Sequence, residues 1–170
     1  MQESPRTAYL YLESSSGDRA ANLLRALAAL VAADLRLMAV SSIYETEATA
    51  QPGQPKSLGL VVAVTARRLE PFSLLNFCLS AETRLGKQRM LESGERPVSI
   101  ELLLLGDHVA EETRDGLELV LPHPQLRLRR PVLTPLSEIA PHLKHPVLGE
   151  TMTHLLGAVR DQAKVLIHRS

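Results

Sequence analysis

Aromatic side chains are scarce in this 170-residue chain: three tyrosines, two phenylalanines and no tryptophan, with none after Phe77. The core must therefore be aliphatic, and the second half offers no aromatic platform on which a planar ring could stack. An excess of either charge is also missing. Nineteen Lys and Arg balance nineteen Asp and Glu, which removes the electrostatic footprint of a nucleic-acid or anionic-membrane binder. Cysteine occurs once, at Cys78. A lone thiol forms no internal disulfide, and it points to a reducing compartment. It falls within an apolar helical pattern, where it reads as a small buried hydrophobe. The longest unbroken apolar run, Ala26 to Ala33, is far below the roughly 20 residues of a membrane span. Met1 to Thr7 is polar and contains Pro5, unlike a signal peptide. The expectation is a cytoplasmic protein bound to neither nucleic acid nor membrane.

What is present is ordinary globular composition, with 45% hydrophobic and 22% charged residues. A chain of this length buries roughly 70% of its unfolded surface, enough for a core without metal or disulfide. One domain over residues 1–170 is expected. Thr7 to Leu12 is a β-prone run, followed by a polar turn in which Asp18 can cap a helix over about 18–33. Leu35 to Tyr44 reads as a second strand. Residues 46–56 form a loop marked by Pro52, Gly53 and Pro55, and Leu58 to Thr65 is a central strand, apolar on both faces. Pro71 opens a second helix that Gly86 closes, and residues 87–95 are a charged loop. Val98 to Leu105 is a further strand, with Val98, Ile100, Leu102 and Leu104 on one face and Ser99, Glu101, Leu103 and Leu105 on the other. A proline-rich segment with short strands spans about 116–148, and an amphipathic helix is predicted over about 150–168. The order β-α-β-β-α-β through residue 105 is that of a ferredoxin-like α+β fold, an antiparallel sheet with helices on one face.

Several segments point to one family. They are Ala8-Tyr9-Leu10 with Gly17-Asp18-Arg19, Val40-Ser41-Ser42-Ile43-Tyr44-Glu45-Thr46, Gly94 with Arg96, and Leu121-Pro122-His123-Pro124. Arg129, Pro135-Leu136, Glu138-Ile139-Ala140-Pro141 and His145-Pro146 follow in order. Over about residues 8–156 the chain resembles the 6-hydroxymethyl-7,8-dihydropterin pyrophosphokinases of folate biosynthesis. The resemblance implies transfer of pyrophosphate from ATP to the hydroxymethyl group of a reduced pterin, with two Mg2+ held by an Asp-x-Asp pair on a strand. Residues i and i+2 of a strand share a face, so two carboxylates there can hold metals that neutralise triphosphate charge.

The resemblance also marks where this chain departs. Ser99 and Glu101 stand where the family has its two metal-binding aspartates. A serine hydroxyl is a weak neutral ligand, and loss of even an outer partner commonly costs about 10–100-fold in metal affinity or activity. Glu95 replaces a proline near the phosphates. On the pterin side, Ser57 and Pro131 replace the two aromatics that sandwich the ring, a loss of about 2–6 kcal/mol of stacking. Gly59 replaces a pterin-binding asparagine, Glu13 a glycine, and Glu47 and Ala48 follow Thr46 where prolines stand. On the nucleotide side, Glu82, Arg96, His123 and Arg129 match positions that contact ATP. Arg89 and Arg96 match arginines that grip its phosphates, and are the catalytic candidates. Lys87 replaces a further arginine, and Glu118 and Val120 fall where some members carry an arginine and a threonine.

Other constellations are weaker. His142 and His145 are spaced i and i+3 without a cysteine nearby, which is poor zinc spacing. Arg127, Arg129 and Arg130 read as a solvated strand edge, and Ser14-Ser15-Ser16-Gly17 lacks the Gly-Lys-Ser/Thr ending of a phosphate loop. The reading that results is a pyrophosphokinase-like protein with lost or strongly reduced transfer, binding ATP or another phosphate compound and acting beside another protein. An active Mg2+- and ATP-dependent enzyme on the pterin or a different alcohol is the competing reading, with Glu13 or Glu95 supplying the missing carboxylate. A structural subunit that assembles through its aliphatic edge and last helix is the third.

Overall fold

Strand β1 (Thr7–Ser14) sits inside the sheet, and its alternation sorts the rest of the molecule. Ala8, Leu10 and Leu12 are fully buried on one face, while Tyr9, Tyr11 and Glu13 belong to the other. The computed structural model describes residues 6–47, 56–66, 68–86 and 97–170. Helix α1 (Arg19–Ala32) begins at Asp18, whose carboxylate accepts the Ala21 N–H at 3.0 Å. Helix α2 (Pro71–Arg84) begins with Pro71, and the Glu70 side chain caps it through the Ser73 N–H at 2.7 Å.

The predicted second strand is two strands, β2 (Arg36–Val40) and β3 (Tyr44–Thr46). Both lie antiparallel along the same edge of β4 (Ser57–Thr65). Serine side chains break the ladder between them. Ser41 Oγ takes the Val61 N–H at 2.9 Å, while the Ser42 N–H and hydroxyl both donate to Glu138. Such local side-chain bonds compete with the backbone ladder. On its other edge β4 pairs with β1, and β1 pairs with β5 (Ser99–Leu105), every pair antiparallel. The element order and sheet are those of the α+β, ferredoxin-like arrangement expected from the sequence.

Three features differ from the sequence reading. The alternation of β5 breaks at a bulge: Leu10 faces Leu102 but Tyr9 faces Leu104, so Leu103 is the extra residue. Leu103 and Leu104 consequently join the same core cluster, and Leu105 returns to the face of Leu102. Second, helices cover both faces of the sheet rather than one. α1, α2 and the hairpin β6 (Ala110–Arg114)–β7 (Leu117–Leu121) cover the first face. The second is covered by α3 (Arg130–Ile139) and α4 (Met152–Ala158). α3 forms within the proline-rich stretch. Pro131 occupies its first turn, where no N–H is needed, and buried Val132, Leu133 and Leu136 outweigh the bond that Pro135 removes.

Third, the predicted helix over 150–168 is helical only through α4. Arg130 captures the chain beyond it: its N–H donates to Asp161 Oδ2 at 3.0 Å and its Nε to the Asp161 carbonyl at 2.8 Å. Val165–Ile167 then forms β8, which adds to the free edge of β3. No helix among the described residues is long and apolar enough to cross a membrane.

Candidate functional site

Two rows of residues cross the second face where β4, β1 and β5 run side by side. One row is Gly59, Glu13 and Ser99; the next is Val61, Tyr11 and Glu101. The segment after the cis Leu121–Pro122 bond approaches this corner. The His123 N–H is tied to the Leu103 carbonyl at 2.8 Å. A 3-10 turn (Leu126–Leu128) then delivers Arg129 to the start of α3.

The result is a tight cluster of charge over Tyr11. Arg129 Nη1 donates to Glu101 Oε2 at 2.7 Å, and its Nη2 lies 3.9 Å from Glu13 Oε2. The guanidinium carbon stands 5.4 Å from the Tyr11 ring centroid. His123 Nδ1 accepts the Gln125 N–H at 3.1 Å, which leaves Nε2 as the protonated nitrogen of the neutral ring, 3.4 Å from Glu101 Oε2. The Arg129 and Glu101 side chains are 29% and 20% exposed, so the pair is only partly screened by water.

The titration shifts follow from this packing. Burial pushes the Tyr11 hydroxyl pKa well above its ordinary value, and neighbouring Glu13 adds to the rise. Burial opposes the charge on Arg129, yet Glu101, Tyr11 and Glu13 together outweigh it and raise the guanidinium pKa. For His123 the balance falls the other way. Burial and the Arg129 charge hold its pKa below the usual imidazole value despite Glu101.

Gly59 explains how Tyr11 fits. A Cβ at that position would fall 2.8 Å from both Cε2 and Cζ of the ring, and closer still to its hydroxyl. The ring thus lies across the glycine, on the ground where the resemblance places a pterin-binding asparagine. Sequence reasoning missed Tyr11. Its signal was the spacing i and i+2 with Glu13 on one strand.

Of the sequence-predicted residues, the fold brings Glu13, Gly59, Ser99, Glu101, His123 and Arg129 together. Pro131 lies close by in the first turn of α3. Glu82 stands apart on α2, 3% exposed, where Oε1 accepts the Ile100 N–H at 2.7 Å. Thr46 and Ser57 pair with each other on β3 and β4. Beside them, Glu45 and Glu47 pair with Arg19 and Lys56. Lys87, Arg89, Glu95 and Arg96 lie outside the described residues. The three arginines read as a solvated strand edge are instead divided. Arg129 turns into the site, Arg130 holds Asp161, and Arg127 sits exposed in the 3-10 turn. His145 is buried and its Nδ1 accepts the Val147 and Leu148 N–H groups, which ties a turn.

With Arg129 in place, the donors present do not suit the pair of magnesium ions that the resemblance implies. Hard Mg2+ wants oxygen ligands, carboxylates above all. Here β5 offers one carboxylate, already engaged by Arg129, and the neutral Ser99 Oγ, which is buried without a hydrogen-bond partner among the described residues. Among the described residues no three His, Cys, Asp or Glu side chains stand together as a metal centre.

Residues 9–141 match the family described as 7,8-dihydro-6-hydroxymethylpterin-pyrophosphokinase. The 2-amino-4-hydroxy-6-hydroxymethyldihydropteridine pyrophosphokinase of Methylorubrum extorquens is 40% identical over 151 residues, 88% of this chain and 90% of that protein. The Bacillus subtilis protein of the same name is 35% identical over 133 residues, 78% of this chain and 77% of that one. In three dimensions the crystal structure of Plasmodium falciparum HPPK-DHPS aligns with a TM-score of 0.72 at 15% identity, covering 91% of this chain. The chain spans 44% of that larger structure.

Proposed function

This chain belongs to the 7,8-dihydro-6-hydroxymethylpterin-pyrophosphokinase family, and from that premise we propose a phosphate-compound-binding protein of folate biosynthesis whose pyrophosphoryl transfer is lost or strongly reduced. The observation that carries this reading is the 2.7 Å bond from Arg129 to Glu101. It commits to a guanidinium the one carboxylate that β5 retains for a metal. Phosphoryl transfer is mostly positioning and charge neutralisation, so the metal-holding oxygens matter more here than any acid or base. Tyr11 lying over Gly59 supports the same reading from the pterin side, because it fills space that a ring-binding side chain would need.

ATP, or another polyphosphate, is the ligand this reading assigns, through His123 and Arg129 together with Arg89 and Arg96. An arginine grips phosphate bidentately, and such contacts can outlast loss of the chemical step. Glu82 enters the same assignment as a supporting residue, through its hold on the Ile100 N–H. A cytoplasmic setting belongs to the reading as well. It is supported by the lone Cys78, buried with its thiol pKa pushed up to about 12 by desolvation and by Glu82.

A second reading has its own support: retained Mg2+- and ATP-dependent transfer. The relatives at 35–40% identity carry the pyrophosphokinase name, and Glu13 faces the same guanidinium as Glu101 rather than open solvent. AMP release from ATP with Mg2+ and 6-hydroxymethyl-7,8-dihydropterin decides between them, run beside a Ser99→Asp/Glu101→Asp variant. The proposal expects no turnover by the unmodified protein; turnover by it establishes the second reading. Activity gained only by the variant locates the defect at the metal.

A further inference from the structure

We infer that Arg129 is a built-in counter-ion: its guanidinium occupies the cation position between Glu13 and Glu101, so the nucleotide-free protein excludes divalent metal from this corner. The inference rests on the function proposed above and describes how that same site is held. Arg129 reaches both carboxylates, at 2.7 Å and 3.9 Å, where one guanidinium can serve two acceptors with its planar fork. Tyr11 backs the cation with its ring at 5.4 Å. The backbone is held as well, because the next residue, Arg130, is bonded twice to Asp161.

The second, independent observation is Ser99. Its Oγ is buried, has no hydrogen-bond partner among the described residues and lies on the same sheet face, opposite Glu13 and two residues before Glu101. Withdrawal of the guanidinium would leave Glu13, Glu101 and this hydroxyl as an all-oxygen set, the donor chemistry a hard divalent ion takes.

The experiment is a titration of the full chain with Mn2+ alone, without nucleotide, followed by the paramagnetic signal of free Mn2+ and by thermal unfolding. The unmodified protein and Arg129→Lys are expected to bind Mn2+ weakly and to melt at the same temperature with or without it. Arg129→Met, or Arg129→Gln should the methionine variant fail to fold, is expected to bind at least about tenfold more tightly and to melt higher as Mn2+ increases. Adding Glu101→Gln to either should abolish the gain. Two results overturn the inference. One is unmodified protein that binds Mn2+ as tightly as the neutral variant and loses it with Glu101→Gln; the other is a folded neutral variant that gains nothing. AMP release by the unmodified protein would overturn the proposed function yet leave this nucleotide-free contrast standing.

Discussion

The two faces of the sheet are built on different principles. The first, under α1 and α2, is an aliphatic layer in which Leu10, Leu12, Leu60, Val62 and Val64 are all but inaccessible. The second begins the same way, with Val61, Leu103 and Leu104 against α3 and α4, and then gives way toward one corner to Tyr11, Glu13, Glu101 and Arg129. On the first face stability comes from area removed from water, which tolerates changes of shape but not of volume. On the second it depends on charges that must remain paired, since a half-buried carboxylate without its partner is costly. One strand serves both: Leu12 and Glu13 are neighbours in sequence and belong to different chemistries.

The largest test of this contrast is Leu12→Ala. It should cost about 2–5 kcal/mol in urea unfolding, through lost burial and a cavity, without altering phosphate binding. Next is Gly59→Asn, which forces a side chain against the Tyr11 ring and should cost about 1–3 kcal/mol. In a double variant with Tyr11→Ala the two losses should fall short of their sum, because each change relieves the other. Additive losses would mean the ring does not lie across Gly59. Smaller again is Tyr44→Phe. The Tyr44 hydroxyl donates to Glu138 Oε2 at 2.6 Å. Its removal should cost about 1 kcal/mol, half-exposure having reduced what a bond to a carboxylate is worth.

The smallest effect is one of pH. Burial lowers the pKa of both His123 and His145, with further lowering from Arg129 and Arg127 respectively. A depressed imidazole pKa means that the unfolded chain takes up the proton first, near about 6.5. Their contribution is therefore present above that pH and is lost as the pH falls through the lower, folded-state values. The urea midpoint should decline over that interval, and His145→Gln should flatten part of the decline. An unchanged slope would remove His145 from the account.

How much of this was legible in the sequence differs by face in the same way. Alternation and helical spacing sufficed for β1, α1, β4 and α2, because burial against one aliphatic layer is what such patterns record. They failed where a polar side chain redirected the backbone. Ser41 and Ser42 split one strand into two, and Arg130 drew residues 159–167 out of a helical pattern into an extended edge strand. α3 was hidden because prolines read as loop, whereas Pro131 sits where a helix tolerates it. At the site, Glu13, Glu101, His123 and Arg129 were each named from resemblance. That they form one cluster depends on strand register and on the turn after His123, which spacing does not encode. Tyr11 is not legible there, because a tyrosine in a β-prone run reads as core.

The fit of Tyr11 over Gly59 also constrains the routes by which this sequence could change. Placing an asparagine at 59 while the ring is present meets a steric barrier, and removing the ring first opens a void over a glycine. Either order passes through a weaker protein before the paired change regains what was lost, so the two positions act as a ratchet.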